Sequence, residues 1–200
     1  TAALTACALV ASAVALLGPT GVAQAAASCP TVDAGTGALS PVPSASEDLS
    51  GCDLTGADLT GLDLSSADLT GATLTGATVT TTDLTAATLT GVISGSLTGT
   101  PTALPTDWVL VNNYLAGPAA NLTAASLSSA DLTNVNLSAA NLTGATLTGA
   151  TLTNTDLSSA TLRRVVSGSL TGTPTALPTN WAIVQGYLVG PEADLSGAQL

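Results

Sequence analysis

An all-β chain wound into a four-sided parallel coil is the architecture this sequence calls for. It does so through a strict five-residue period, the failure of that period to fit a helix, and a composition of small aliphatic residues. Leu recurs at positions 49, 54, 59, 64, 69, 74, 84 and 89, with Val79 completing the series, and again in the same steps from Leu122 to Leu162. Call the Leu position i. On an α-helix five residues advance about 500°, a net turn of roughly 140° per repeat, so successive Leu side chains share no face. On an unbroken strand an odd period flips Leu from one face to the other at each repeat. All the Leu side chains point inward only if the chain bends once per repeat and absorbs the extra residue at the bend. Position i+2, often Gly, supplies that bend. Four such bends close a square coil of twenty residues, with Leu and the small residue at i−2 inside. The Asp, Asn, Thr and Ser residues at i−1 and i+1 then face water.

The N-terminal segments carry an address. Residues 1–27 are read as a secretory signal peptide, expected to be helical: Ala6 to Leu17 is apolar but for one Ser, Gly18-Pro19 breaks it, and Ala23-Gln24-Ala25 and Ala25-Ala26-Ala27 offer A-x-A cleavage sites. That run is too short to span a bilayer, so no stable membrane span is expected in the mature chain. The sequence holds no Met, so Thr1 is not expected to be the native first residue. Removal of the signal leaves Cys29 and Cys52 in a compartment where disulfides persist. They are a candidate disulfide; the alternative is a small buried thiol at Cys52, which stands where the repeat otherwise places Ala. Residues 28–46, rich in Pro, Gly, Ser, Thr and Ala and without periodicity, read as a linker.

Two repeat blocks follow, 47–91 and 120–164. Inserts at 92–119 and 165–192 interrupt them, and 193–200 begins a third block. The unit of block plus insert repeats every 73 residues, so that Leu49 maps onto Leu122 and Leu122 onto Leu195. Both inserts share Ser-Gly-Ser-Leu-Thr-Gly-Thr-Pro-Thr-Ala-Leu-Pro-Thr, and together they hold every aromatic residue: Trp108, Tyr114, Trp181 and Tyr187. Two short apolar runs separated by Asn112-Asn113 in one copy and Gln185-Gly186 in the other predict two-residue β-hairpins. The four aromatics either pack each hairpin onto the scaffold or form a binding platform; packing is the commoner use.

Segments such as Ala57-Asp58-Leu59-Thr60-Gly61 and Ala67-Asp68-Leu69-Thr70-Gly71 resemble the pentapeptide-repeat family, whose motif is A-[D/N]-L-x-x. The resemblance covers both blocks and implies a right-handed quadrilateral β-helix. Some members of that family resemble B-DNA and bind DNA gyrase, which makes topoisomerase binding by DNA mimicry one alternative function. Block one carries Glu47, Asp48, Asp53, Asp58, Asp63, Asp68 and Asp83 with no basic residue. Over about 11 Å of stacked coils this is comparable to the density of duplex DNA, about six charges in that length. Block two is neutral, Asp131 and Asp156 against Arg163 and Arg164, and a signal peptide would carry the chain away from gyrase.

Composition excludes more than it specifies. The chain is 46% hydrophobic but only 2% aromatic and 8% charged, has no His, and carries a formal charge of −11. Imidazole chemistry and the basic surface for direct nucleic-acid binding are therefore excluded. Ser and Thr have no His or Lys base beside them, so neither an enzyme nor a cofactor is expected. Stacked Asp48 and Asp68, or Asp63 and Asp83, lack the six to eight oxygens calcium takes. Asn121-Leu122-Thr123, Asn136-Leu137-Ser138 and Asn141-Leu142-Thr143 match a glycosylation pattern because the repeat spells it. Thr-x-Thr segments at 73–75, 78–80 and 151–153 suggest ice or crystal-surface binding, but Thr73, Thr78 and Thr88 fall on three different faces. What remains is a secreted, non-enzymatic β-solenoid at the bacterial cell surface, a spacer or an interaction scaffold for a protein or glycan.

Overall fold

The computed structural model describes residues 28–198; residues 1–27, read from the sequence as a signal peptide, lie outside them. Residue pairs twenty apart bridge in parallel, Asp48 to Asp68, Asp53 to Thr73, Asp58 to Thr78 and Asp63 to Asp83. Bridged positions five residues apart with a twenty-residue return define four sides to each coil. The hydrogen bonds follow one rule. The i amide donates to the next coil (Leu49 N to Asp68 O, 2.8 Å), the i−1 amide donates to the previous one (Asp68 N to Glu47 O, 2.9 Å), and each corner closes on itself (Ala57 N to Leu54 O, 3.0 Å). That accounts for most of the polar backbone, which a buried stack must satisfy. The corner residue at i+2 has positive φ whether it is Gly56 (69°), Ser66 (59°), Ala86 (56°) or Arg164 (54°), so the corner is a turn of type II form. Gly is the relaxed choice there.

The Leu and Val residues at i in both blocks are 0–1% exposed, and each contributes about 2 kcal/mol before chain entropy is subtracted. Ala mostly fills i−2. Where Thr82 and Thr155 replace it, the hydroxyl is satisfied inside the bore by donating to Leu59 O (2.8 Å) and Leu132 O (2.7 Å). At i−1 an Asp or Asn accepts from its own repeat, as Asp48 Oδ1 does from Ser50 N (3.0 Å) and Ser50 Oγ (2.6 Å).

The stretch expected to be a linker, residues 28–46, carries a short hairpin. Strands β1 (Thr31–Val32) and β2 (Leu39–Ser40) pair antiparallel, and Asp33 Oδ1 holds the turn between them by accepting from Gly35 N, Thr36 N and Thr36 Oγ1. Extending the five-residue ruler downward from Leu49 reaches Ser44 and then Leu39. Leu39 is buried and packs with block one, while Gly37 O accepts from Asp58 N at 2.8 Å. Residues 37–46 are thus a degenerate coil in register that covers the open end of block one. Cys29 and Cys52 are joined by a disulfide, Cα–Cα 5.3 Å.

The inserts do not leave the coil where the blocks end. Ile93, Thr98 and Ala103 still bridge Thr73, Thr78 and Asp83, and the coil closes late, from Ile93 to Asn121, after 28 residues. The extra length holds hairpins: β3 (Val109–Val111) with β4 (Tyr114–Ala116), and β5 (Ala182–Val184) with β6 (Tyr187–Val189). Because Ile93, Asn121, Asn141 and Thr161 share one side while Val166, the counterpart of Ile93, stands on the next, each 73-residue unit advances three coils and one side. Successive hairpins are therefore a quarter turn apart. Asp194 bridges Val166 as Asn121 bridges Ile93, starting the next coil.

Candidate interaction surface

The inserts were the sequence's candidate site, and their geometry is set by three departures from the repeat. Position 94 is an i position, yet it holds Ser. Its Oγ accepts from Leu115 N at 2.9 Å, and Leu115 on β4, fully buried, fills the bore instead. Ser167 and Leu188 repeat the arrangement at 2.9 Å. Gly95 and Gly168 make room for an aromatic ring: a Cβ on Gly95 would lie 2.8 Å from Tyr114 Cε1, and one on Gly168 3.0 Å from Tyr187 Cε1. Gly117 and Gly190 do the same for Trp108 and Trp181, where a Cβ would stand 2.3 Å from ring carbon Cδ2.

The first hairpin is thus a layer slid between coils. Its tip, Asn112-Asn113, has φ of 46° and 64°, the type I′ geometry that matches strand twist. Asn113 O accepts from Leu97 N at 3.1 Å, and Asn112 Nδ2 donates to Ser128 O at 3.1 Å in the coil above. Tyr114 Oη accepts from Ser126 N at 3.2 Å, and Trp108 packs against the cores of both blocks. The structure places Trp108 and Tyr114, both half-buried, where block one meets block two. Trp181 and Tyr187 pack on their own glycines in the same way, and beside them Gly172, Pro174, Leu177 and Ile183 line an open groove of about 430 Å³. The signal the sequence offered was the Ser at an i position in both copies, followed at once by Gly.

Outside the bore the surface is short and polar. The carboxylates of Asp48, Asp53, Asp58, Asp63, Asp131 and Asp194 are held below the usual carboxylate range, first by the hydroxyl of the Ser or Thr at i+1 and then by its backbone N–H. Each is engaged in capping its own turn. Arg163 donates through Nε (2.9 Å) and Nη2 (2.8 Å) to Glu192 Oε2, an exposed pair worth about 0–1 kcal/mol. Copy one has Thr90 and Ala119 at those places. Large apolar side chains that do reach the surface include Ile93, 39% exposed, and Val184, 41% exposed. Among the described residues no helix is long and apolar enough to cross a membrane.

Residues 48–85 and 120–158 match the family model for pentapeptide repeats, in eight copies. No curated protein matches the chain. Among solved structures it is similar to Rfr23, a pentapeptide repeat protein from the cyanobacterium Cyanothece 51142, at 29% identity over 64% of this chain and 65% of that one, TM-score 0.23. It is also similar to HetL from Nostoc sp. strain PCC 7120, a pentapeptide repeat protein involved in heterocyst differentiation regulation, at 25% identity over 76% and 63%, TM-score 0.28. A third is QnrB1, a plasmid-mediated fluoroquinolone resistance protein, at 19% identity over 74% and 78%, TM-score 0.26. The chain covers slightly less than two thirds of Rfr23 and of HetL.

Proposed function

Because the chain belongs to the pentapeptide-repeat family through residues 48–85 and 120–158, whose fold is a right-handed quadrilateral β-helix, we propose that it is a non-enzymatic scaffold. It works outside the cytoplasm at the bacterial cell surface, as a stiff column that spaces or presents a protein or glycan partner. One observation carries this reading: the carboxylates of the repeat and the aromatic rings are engaged within the fold. The i−1 carboxylates cap their own turns, and the aromatics lie against glycines. What faces outward is a hydrogen-bonded stack clothed in short Ser, Thr, Asp and Asn side chains. The apolar run and A-x-A sites before Ser28 support export.

Gyrase binding is weaker on the same geometry. Asp48 and Asp68 stack on one side, Asp63 and Asp83 on another, and Asp53 and Asp58 each stand beneath a Thr on the remaining two, so the acidic groups form no single phosphate-like face. Surface binding to ice is weaker for a similar reason. Thr78 and Thr98 stack with hydroxyls 3.0 Å apart, as do Thr151 and Thr171 at 3.1 Å, but the two pairs lie a quarter turn apart. N-terminal sequencing of the mature protein from fractionated cells tests the address: a start near Ala26 or Ser28 in the envelope or medium is expected. A cytosolic chain retaining residues 1–25 that inhibits supercoiling would replace the scaffold with the gyrase reading. Binding to cell-wall glycans and surface proteins, measured with the exported protein, then separates a presenting scaffold from a passive spacer.

A further inference from the structure

We propose that the Cys29–Cys52 bond is a redox latch on an N-terminal cap. The cap is residues 28–46: the β1–β2 hairpin and the degenerate coil that closes the lower end of block one. Apart from the disulfide its attachments are noncovalent. Pro30, Gly37, Leu39 and Pro43 are buried and Val32 half-buried, Gly37 O accepts from Asp58 N, Ser46 N donates to Ser65 O, and Ser44 N donates to Glu47 Oε2 at 2.8 Å. The two cysteines differ in environment. Cys29 is exposed, whereas Cys52 is 1% exposed and occupies an i−2 position inside the bore. A small residue is what that position takes, so Cys52 as a free thiol fits the coil as Ala does elsewhere. Breaking the bond therefore releases the cap and leaves the coil.

The reductant is a dithiol. Its thiolate attacks Sγ of the accessible Cys29; the bond to Cys52 breaks, and the electron pair goes to Cys52 Sγ, which takes a proton. The second thiol of the reagent then closes its own disulfide and frees Cys29 as a thiol. Two electrons and two protons pass from the dithiol to the protein. The opened state bares the Asp58 N–H on the underside of the first coil, at a β edge of the kind other chains pair with.

Hydrogen exchange on the full chain, before and after dithiothreitol, tests the latch. The amides of Asp33 and Gly37, hydrogen-bonded within the cap, and that of Asp58 are expected to lose roughly a hundredfold in protection, the closure entropy of a loop this size. The amides of Leu69 and Leu74 are expected to keep theirs. Cys52→Ala, which installs the repeat's own residue, should reproduce the reduced pattern without dithiothreitol and leave melting of block one unchanged. Cap amides as protected after reduction as before would overturn the proposal, and so would equal losses at Leu69 and Leu74. A Cys52→Ala protein with a fully protected cap would overturn it as well.

Discussion

Substituting Ser94 by Leu would restore the repeat consensus at an i position, and two arguments give opposite signs for the result. If the five-residue pattern alone governed stability, the new Leu would add about 2 kcal/mol of burial. In the structure that volume is already occupied by Leu115, whose amide donates to Ser94 Oγ at 2.9 Å. A Leu at 94 would compete with a fully buried side chain, an overpacking cost of about 1–3 kcal/mol. It would also leave the Leu115 N–H buried without a partner, about 1–3 kcal/mol more. The expected net loss is therefore about 2–6 kcal/mol. Ser94→Ala isolates the hydrogen bond and should lose only about 1–3 kcal/mol. Urea unfolding monitored by circular dichroism reads the difference as a lower midpoint at unchanged slope, and Trp108 fluorescence reports the hairpin directly. A Ser94→Leu protein that unfolds at the same urea concentration as wild type, or later, would refute the intercalated hairpin.

Leu69→Asp places a carboxylate in a dry bore and should destabilise block one by several kcal/mol, whereas Asp68→Ser, one residue away and facing water, should change the melting midpoint by a few tenths; equal losses would contradict the inward and outward assignment. Gly117→Ala sets a Cβ against the Trp108 ring, so it should lower stability and shift Trp emission to the red, and a silent substitution would show that the ring does not lie there. The turn-capping Asp residues 48, 53, 58, 63 and 131 have depressed values when folded, so their contribution is present above the ordinary unfolded value of about 3.8 and is lost as pH falls through the folded values. At 0.15 M salt, where general repulsion is screened, the urea midpoint should hold from pH 7 to about pH 5 and drop below about pH 4. Replacing these Asp residues by Asn should flatten that drop, and a midpoint that rises below pH 4 would count against the capping role.

The five-residue spacing of Leu was enough to set the square coil, its inward faces and the water-facing i−1 and i+1 rows, because odd-period burial has one regular solution. The two-residue turns at Asn112-Asn113 and Gln185-Gly186 were likewise legible, since backbone twist selects those residues locally. What lay beyond the sequence depended on contacts between coils. Residues 37–46 looked like a linker because Ser44 and Pro41 break the pattern, yet an open end of the stack offers apolar surface that Leu39 covers. The inserts looked like interruptions because Ser94 and Gly99 stand where Leu was due; only the stack shows that Leu115, 21 residues beyond Ser94, enters the same bore. The hairpin that carries Leu115 sets Trp108 and Tyr114, half-buried, where the two blocks meet. It also makes one coil 28 residues long that returns to the same side, so the nine five-residue repeats of each block, two coils and one side, rotate each successive unit by one face and divide the Thr pairs between neighbouring sides. Sequence spacing encodes which residues face inward within a coil; which residue fills a given space in the bore is decided by volume, and volume is shared among segments far apart in the chain.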